Sequence, residues 1–233
     1  RRSSDLDFQI GAGYIHGIPR LGIPSLRETD ASLGVSWAGG QRKDNATALP
    51  SGLSMASSWN PTLIEAGGRM IGSEARAKGF NVLLAGGVNL MRDPRNGRNF
   101  EYFGEDPLLA GTLVGYAVRG VQSNNIITTI KHFALNGQET GRHFVDVKIS
   151  EANARESDLL AFQIANEIGD PGSVMCAYNK VNGDYACEND WLLNTVLKQD
   201  WAYKGWVMSD WGSVDGVESA LAGLDQIGRA SCR

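Results

Sequence analysis

Asp210 follows the apolar run Trp206-Val207-Met208 and Ser209, and Trp211-Gly212 come after it. The run reads as a buried strand bounded by Gly205 and Gly212. A carboxylate at the C-terminal end of such a strand stands where α/β proteins present their chemistry. The competing reading is a helix cap, since Asp is a favoured N-cap residue. Other reactive side chains fall in the same kind of place. Asp30 ends the weak strand Ile23–Thr29, and Lys131-His132 ends the strand that starts at Ile126. Tyr178 follows the strand Gly172–Ala177, and Arg98 lies in the loop after Phe80–Leu84. If these strands run parallel, the groups meet at one mouth. Together they suit a ring of hydroxyls. Asp30, Arg98, Lys131 and His132 would make charge-assisted hydrogen bonds, and Trp211 would offer a flat apolar face.

The elements that must position these groups alternate. Asn60-Pro61 and Asp106-Pro107 each combine an N-cap residue with Pro at the first helical position. The first predicts a helix to Lys78, stopped by Gly79, and the second a helix carrying Leu109, Leu113, Tyr116 and Val121. Ser150 caps a helix expected to reach Ile168, and Asn189–Gln199 and Val214–Leu224 have helical spacing. Thr47–Pro50 is a still weaker strand. Strands and helices in turn argue a parallel sheet with helical crossovers, which an open doubly wound sheet and a closed barrel both satisfy. Gly11–Gly17 lacks the third Gly and the preceding strand of a dinucleotide fingerprint and is expected to be a loop.

The bulk numbers exclude several classes. The chain has 233 residues, 42% hydrophobic and 21% charged, with a net charge of -4. That is ordinary globular composition, with no basic excess to suggest nucleic acid and no run near the roughly 20 apolar residues of a membrane span. No phosphate loop, metal-ligand spacing or Ser/His/Asp set is present, so the reading calls for no cofactor and no metal. Three cysteines, Cys176, Cys187 and Cys232, are an odd set without zinc spacing, and all three are expected to be unpaired structural residues. Residues 227–233 break the pattern before them and resemble a translated sequencing adapter, so the natural domain is expected to be residues 1–226 and Cys232 foreign to it.

Several stretches, in order, resemble glycoside hydrolase family 3 on its β-glucosidase branch. They are Arg27-Glu28-Thr29-Asp30, Asn96-Gly97-Arg98-Asn99-Phe100-Glu101-Tyr102-Phe103-Gly104-Glu105-Asp106-Pro107 and Lys131-His132-Phe133-Ala134. Met175–Gly183 and Gly205–Gly212 complete the set. The resemblance implies an α/β fold, a (β/α)₈ TIM-like barrel incomplete at its C-terminal end. It implies hydrolysis of terminal non-reducing β-D-glucosyl residues by a retaining double displacement, with a small carbohydrate as partner. Asp210 matches the nucleophile. Asp30, Arg98, Lys131 and His132 match residues that hold the glucose hydroxyls. Tyr178 matches the tyrosine beside the nucleophile, and Trp211 the aromatic at the edge of the next subsite. The acid/base glutamate of this branch belongs to a second domain, so residues 1–226 alone should be inactive.

Lys131 and Arg98 are expected to favour the ionised form of Asp210. Glu101, Glu105 and Glu139 are the loop carboxylates that could otherwise serve as acid. The chain departs from the family where Gly137 replaces the usual Asn or Asp, where His16 replaces Pro, and at His143. A Glu139–His143 pair would be the route to a β-N-acetylglucosaminidase, and a non-catalytic sugar-binding fragment is the other alternative.

Overall fold

A computed structural model of the chain describes residues 12–36, 44–214 and 216–227. Its centre is a six-stranded sheet. In spatial order the strands are β1 (Gly13–Ile15), β2 (Leu26–Asp30), β3 (Val82–Leu84), β4 (Ile127–Phe133), β6 (Ser173–Cys176) and β9 (Trp206–Ser209). β1 is antiparallel to β2, and every later pairing is parallel. A small second sheet joins β5 (Asp146–Val147), β7 (Lys180–Val181) and β8 (Asp184–Tyr185).

The sheet curls. Val82 and Leu84 share an apolar cluster with Met175 and Met208, although β4 separates β3 from β6 in the sheet. Leu83, Val174, Cys176 and Val207 point the other way, into clusters under the helices. This two-residue alternation gives the sheet a filled concave side and a helix-covered convex side. Side chains tie its two ends. Trp211 Nε1 donates to the Ala12 carbonyl at 3.1 Å, and Gln226 Nε2 donates to Glu28 Oε1 at 2.9 Å.

The helices are α1 (Gly52–Ala56), α2 (Pro61–Ala77), α3 (Pro107–Gln122), α4 (Glu151–Glu156), α5 (Asp158–Gly169) and α6 (Trp191–Asp200), the last wound as a π-helix. The expected caps are in place: Asn60 accepts from Leu63 N, Asp106 from Leu109 N and Ser150 from Asn153 N. α3 packs against α2 and α5 through glycines. A Cβ on Gly120 would lie 2.1 Å from the Glu65 carbonyl, and one on Gly111 would lie 2.5 Å from that of Ala161.

Several expectations are corrected. The expected loop at Gly11–Gly17 contains β1, because Gly13 lets the chain run against the inward-facing Glu28 side chain. Thr47–Pro50 forms no strand: Leu49 N donates to the Leu33 carbonyl and Thr47 N to the Glu74 carboxylate, with no strand partner alongside. The expected Ser150–Ile168 helix breaks at Ser157, where φ -126 and ψ -99 leave the helical region and Asp158 pairs with Arg92. Helix Val214–Leu224 reduces to the turn Val217–Ala220, because Asp225 and Gln226 N–H both return to the Val207 carbonyl. Cys176 and Cys187 are not free thiols. The short turn Ala186–Glu188 folds back on the end of β6, brings the Cα atoms to 5.2 Å, and the two form a disulfide. Cys232 and residues 228–233 lie outside the described residues.

The close α2–α3 contact leaves no room at Gly120. Gly120→Ala should lower the free energy of unfolding by about 1–3 kcal/mol through overpacking, measured by urea denaturation. Gly97→Ala, which meets no atom within 4 Å, should leave it nearly unchanged.

Candidate active site

The C-terminal ends of β2, β4, β6 and β9 open on one side of the sheet. β4 carries a bulge there. Lys131 pairs with Met175 and Phe133 with Cys176, so His132 drops out of the ladder. Asn89 replaces the lost bonds: His132 N donates to Asn89 Oδ1 at 2.8 Å, and Asn89 Nδ2 donates to the His132 carbonyl at 2.9 Å.

Lys131 is 4% exposed, and two carboxylates serve its ammonium. Asp30 Oδ1 lies 3.0 Å from Nζ and Glu101 Oε2 lies 3.5 Å from it. Glu101, also buried, accepts from Arg98 Nε at 2.5 Å and from Ser32 Oγ at 3.2 Å. Burial pushes the Lys131 pKa down, but Asp30 and Glu101 outweigh it and hold the group above its ordinary value. Burial likewise pushes Glu101 up, but Lys131 and Arg98 win and hold it below 4.5. Lys131 and Glu101 are therefore both charged at neutral pH. Asp30, Ser32, Arg98, Phe100, Glu101 and Lys131 surround an open cleft of about 340 Å³.

His132 is 1% exposed. Its pKa falls well below 6.5 through burial, with Arg98 and Lys131 adding repulsion, so the ring is neutral. Nδ1 lies 3.3 Å from Tyr102 Oη, and Nε2 lies 3.5 Å from Asp210 Oδ2. The neutral tautomer with hydrogen on Nε2 fits both neighbours.

Asp210 is 9% exposed. Its Oδ1 accepts from Trp211 N at 2.7 Å, while buried Oδ2 has no hydrogen-bond partner among the described residues. Its pKa lies above 3.8 because burial outweighs the Trp211 N–H, Lys131 and Arg98. The sequence expectation named the right cations and omitted the larger opposing cost of desolvation. Tyr178 Oη donates to the Trp211 carbonyl at 2.8 Å. The Arg142 guanidinium lies 4.1 Å from the Tyr178 ring centre, and the His143 ring lies 4.4 Å away. Trp211 is partly buried among the concave apolar residues, with its indole N–H used on Ala12.

All seven residues singled out in the sequence thus lie in one connected cluster. Four supporting residues escaped the sequence reading. Asn89 carried no signal. Tyr102 sits inside the Arg98–Pro107 motif but reads as core. Arg142 stands three residues after Glu139, a spacing that marks a local ion pair, and the 2.7 Å contact is there. Glu101 appeared only as a spare acid, whereas it holds Arg98 and Lys131. Glu139 is held by Arg142 and Asn136, and the His143 ring packs on Tyr178. The arrangement does not assemble a Glu139–His143 dyad.

Glu101 contributes stability that is present above its unfolded pKa and lost as pH falls through its lower folded value. Glu101→Gln should cost up to about 3 kcal/mol at pH 7, because it strips one partner from two buried cations. The loss should shrink as pH drops below 4.5. Urea unfolding at pH 7 and pH 4 measures both. An equal loss at the two pH values would show that Glu101 is not held ionised.

A family model described as the glycosyl hydrolase family 3 N terminal domain matches residues 16–230. Beta-glucosidase BoGH3A of Bacteroides ovatus is 45% identical over 218 residues, covering 90% of this chain and 29% of that protein. The exo-alpha-(1->6)-L-arabinopyranosidase of Bifidobacterium longum is 41% identical over 223 residues, 92% of this chain and 30% of that protein. The structure of beta-glucosidase 3B from Thermotoga neapolitana in complex with glucose superposes with a TM-score of 0.88 at 44% identity, covering 93% of this chain and 31% of that one. The chain spans less than a third of the length of each of these proteins. The match runs from β2 through β9 and takes in every strand end that builds the cluster, and with it the chain belongs to glycosyl hydrolase family 3, within that family's N-terminal domain.

Proposed function

We propose that this chain is the nucleophile-bearing part of a retaining β-glucosidase. One observation carries the reading: Asp210 Oδ2, a buried carboxylate oxygen at a strand end, has no hydrogen-bond partner among the described residues. Such an orphan acceptor needs an explanation, and attack on an anomeric carbon supplies one. Trp211 N–H holds the other oxygen and so fixes the carboxylate's orientation. Asp30, Lys131 and Arg98 present charged groups to the cleft, suited to the hydroxyls of a terminal glucosyl residue. His132 Nε2 faces Oδ2 at 3.5 Å without completing a hydrogen bond, and Tyr178 and Trp211 form the wall beside the nucleophile.

A retaining mechanism needs a second carboxyl about 5 to 5.5 Å from the first, protonated at the start of the cycle. Glu101 is ionised and tied to Arg98 and Lys131, and Glu139 is tied to Arg142. Neither suits an acid. The relatives are about three times as long as this chain, which supports an acid/base supplied from outside these residues. The curled sheet and its crossover helices support a (β/α)₈ barrel whose closing strands also lie outside them. The Bifidobacterium relative gives a second reading, an arabinopyranosidase on the same scaffold. Rates on p-nitrophenyl β-D-glucoside and α-L-arabinopyranoside distinguish the two.

In the full-length enzyme, a 2-deoxy-2-fluoro glucoside should leave its label as an ester on the peptide holding Trp206–Trp211. Asp210→Asn should bind substrate and lose several orders of magnitude in kcat. Because attack requires the ionised carboxylate, the acid limb of kcat/KM should lie above the ordinary carboxylate value of 3.8. A label on Glu101 or Glu139 would overturn the assignment.

A further inference from the structure

The ladder between β6 and β9 ends at the pair Cys176–Ser209, one residue short of Asp210. The turn that carries the carboxylate, Asp210–Ser213, is therefore held by other means. Two side-chain hydroxyls grip its backbone. Ser213 Oγ donates to the Asp210 carbonyl at 2.8 Å, beside the Ser213 N–H at 3.2 Å. Tyr178 Oη donates to the Trp211 carbonyl at 2.8 Å. The Trp211 N–H, bonded to Asp210 Oδ1, passes this backbone placement on to the carboxylate.

The Cys176–Cys187 disulfide stands behind both grips. Cys176 lies two residues before Tyr178 and anchors the start of its loop. Cys187 Sγ lies 3.1 Å from Ser213 Oγ. A hydroxyl has one hydrogen, and that of Ser213 is used on the Asp210 carbonyl. The sulfur is thus a wall that keeps the hydroxyl on its acceptor. Both cysteines are fully buried, so the wall is part of the packed interior. The S–S bond ties residues 186–188 covalently to the end of β6, and opening it releases that tie.

We propose that the disulfide and Ser213 are positioning groups that aim the Asp210 carboxylate, a role that rests on Asp210 being the nucleophile. Neither touches the cleft. Asp30, Arg98 and Lys131 are carried by β2, the loop after β3 and β4, so sugar binding does not depend on this support. Loss of either group should slow formation of the glycosyl ester and leave the sugar bound.

The test uses the full-length enzyme and time-dependent inactivation by a 2-deoxy-2-fluoro glucoside, which separates ester formation from binding. One variant is Ser213→Ala. The other combines Cys176→Ala with Cys187→Ala and leaves no free thiol. Each should lower the inactivation rate constant by roughly ten- to a hundredfold, the effect of a small misalignment. The glucose inhibition constant should be unchanged in both. Ser213→Thr, which keeps the hydroxyl, should retain the wild-type rate constant. All three substitutions together should lose no more than the larger of the two effects, because the groups act through one contact. If the cysteine variant does not fold, folded wild type reduced with a phosphine, with peptide mass mapping to show this bond open, gives the same comparison. A wild-type rate constant in either variant would overturn the role of that group, even with a lowered melting temperature. A wild-type label on a peptide other than Trp206–Trp211 would instead overturn Asp210 as nucleophile, so the two failures are distinct.

Discussion

A lysine ammonium sealed from water must be neutralised where it sits, or it loses its proton. Lys131 meets that demand with Asp30 from the end of β2 and Glu101 from the loop after β3. Glu101 in turn brings Arg98. The cluster holds only if three neighbouring strands end level and the loop after β3 folds back over the mouth. The parallel register from β2 to β4 supplies the first condition, and the short turn Asn99–Glu101 supplies the second. The positive field so created, added to complete burial, keeps His132 neutral and able to donate towards Asp210.

Which parts of this were visible in the sequence follows from what each part depends on. Strand ends and capped helix starts are local, and Asp30, Lys131, Asp210, Asn60 and Asp106 were readable because the signal lies within a few residues. The role of Glu101 is non-local. Nothing in Asn99-Phe100-Glu101 reveals that Lys131 will lie 3.5 Å away. Asn89 is further out of reach, because its task exists only once a bulge removes His132 from the ladder. The disulfide was hidden by parity. Cys232 made the count odd, and spacing alone does not show that a turn will return Cys187 to the end of β6. β1 was hidden by its glycines, which read as loop until a partner strand is known.

The Asp210 environment shows why a list of neighbours is not enough to assign a charge state. Two cations and an N–H favour the anion, yet removing the carboxylate from water costs more than they return. The group is held ready by a margin that depends on how wet the cleft is. Any group that drives more water from around Asp210 raises its pKa further, with or without a contact to the carboxylate.

The bonds that tie the two ends of the sheet have a bearing on how the molecule reaches this state. Trp211 meets Ala12 across 199 residues of sequence, and Gln226 meets Glu28 across 198. Closing loops of that length precedes any energetic return from the contacts. The helical layer of α2, α3 and α5 is built from near neighbours and can condense first. The mouth that gathers Asp30 and Asp210 is therefore a late product of folding. During synthesis, no ribosome-bound chain possesses it until β9 has emerged.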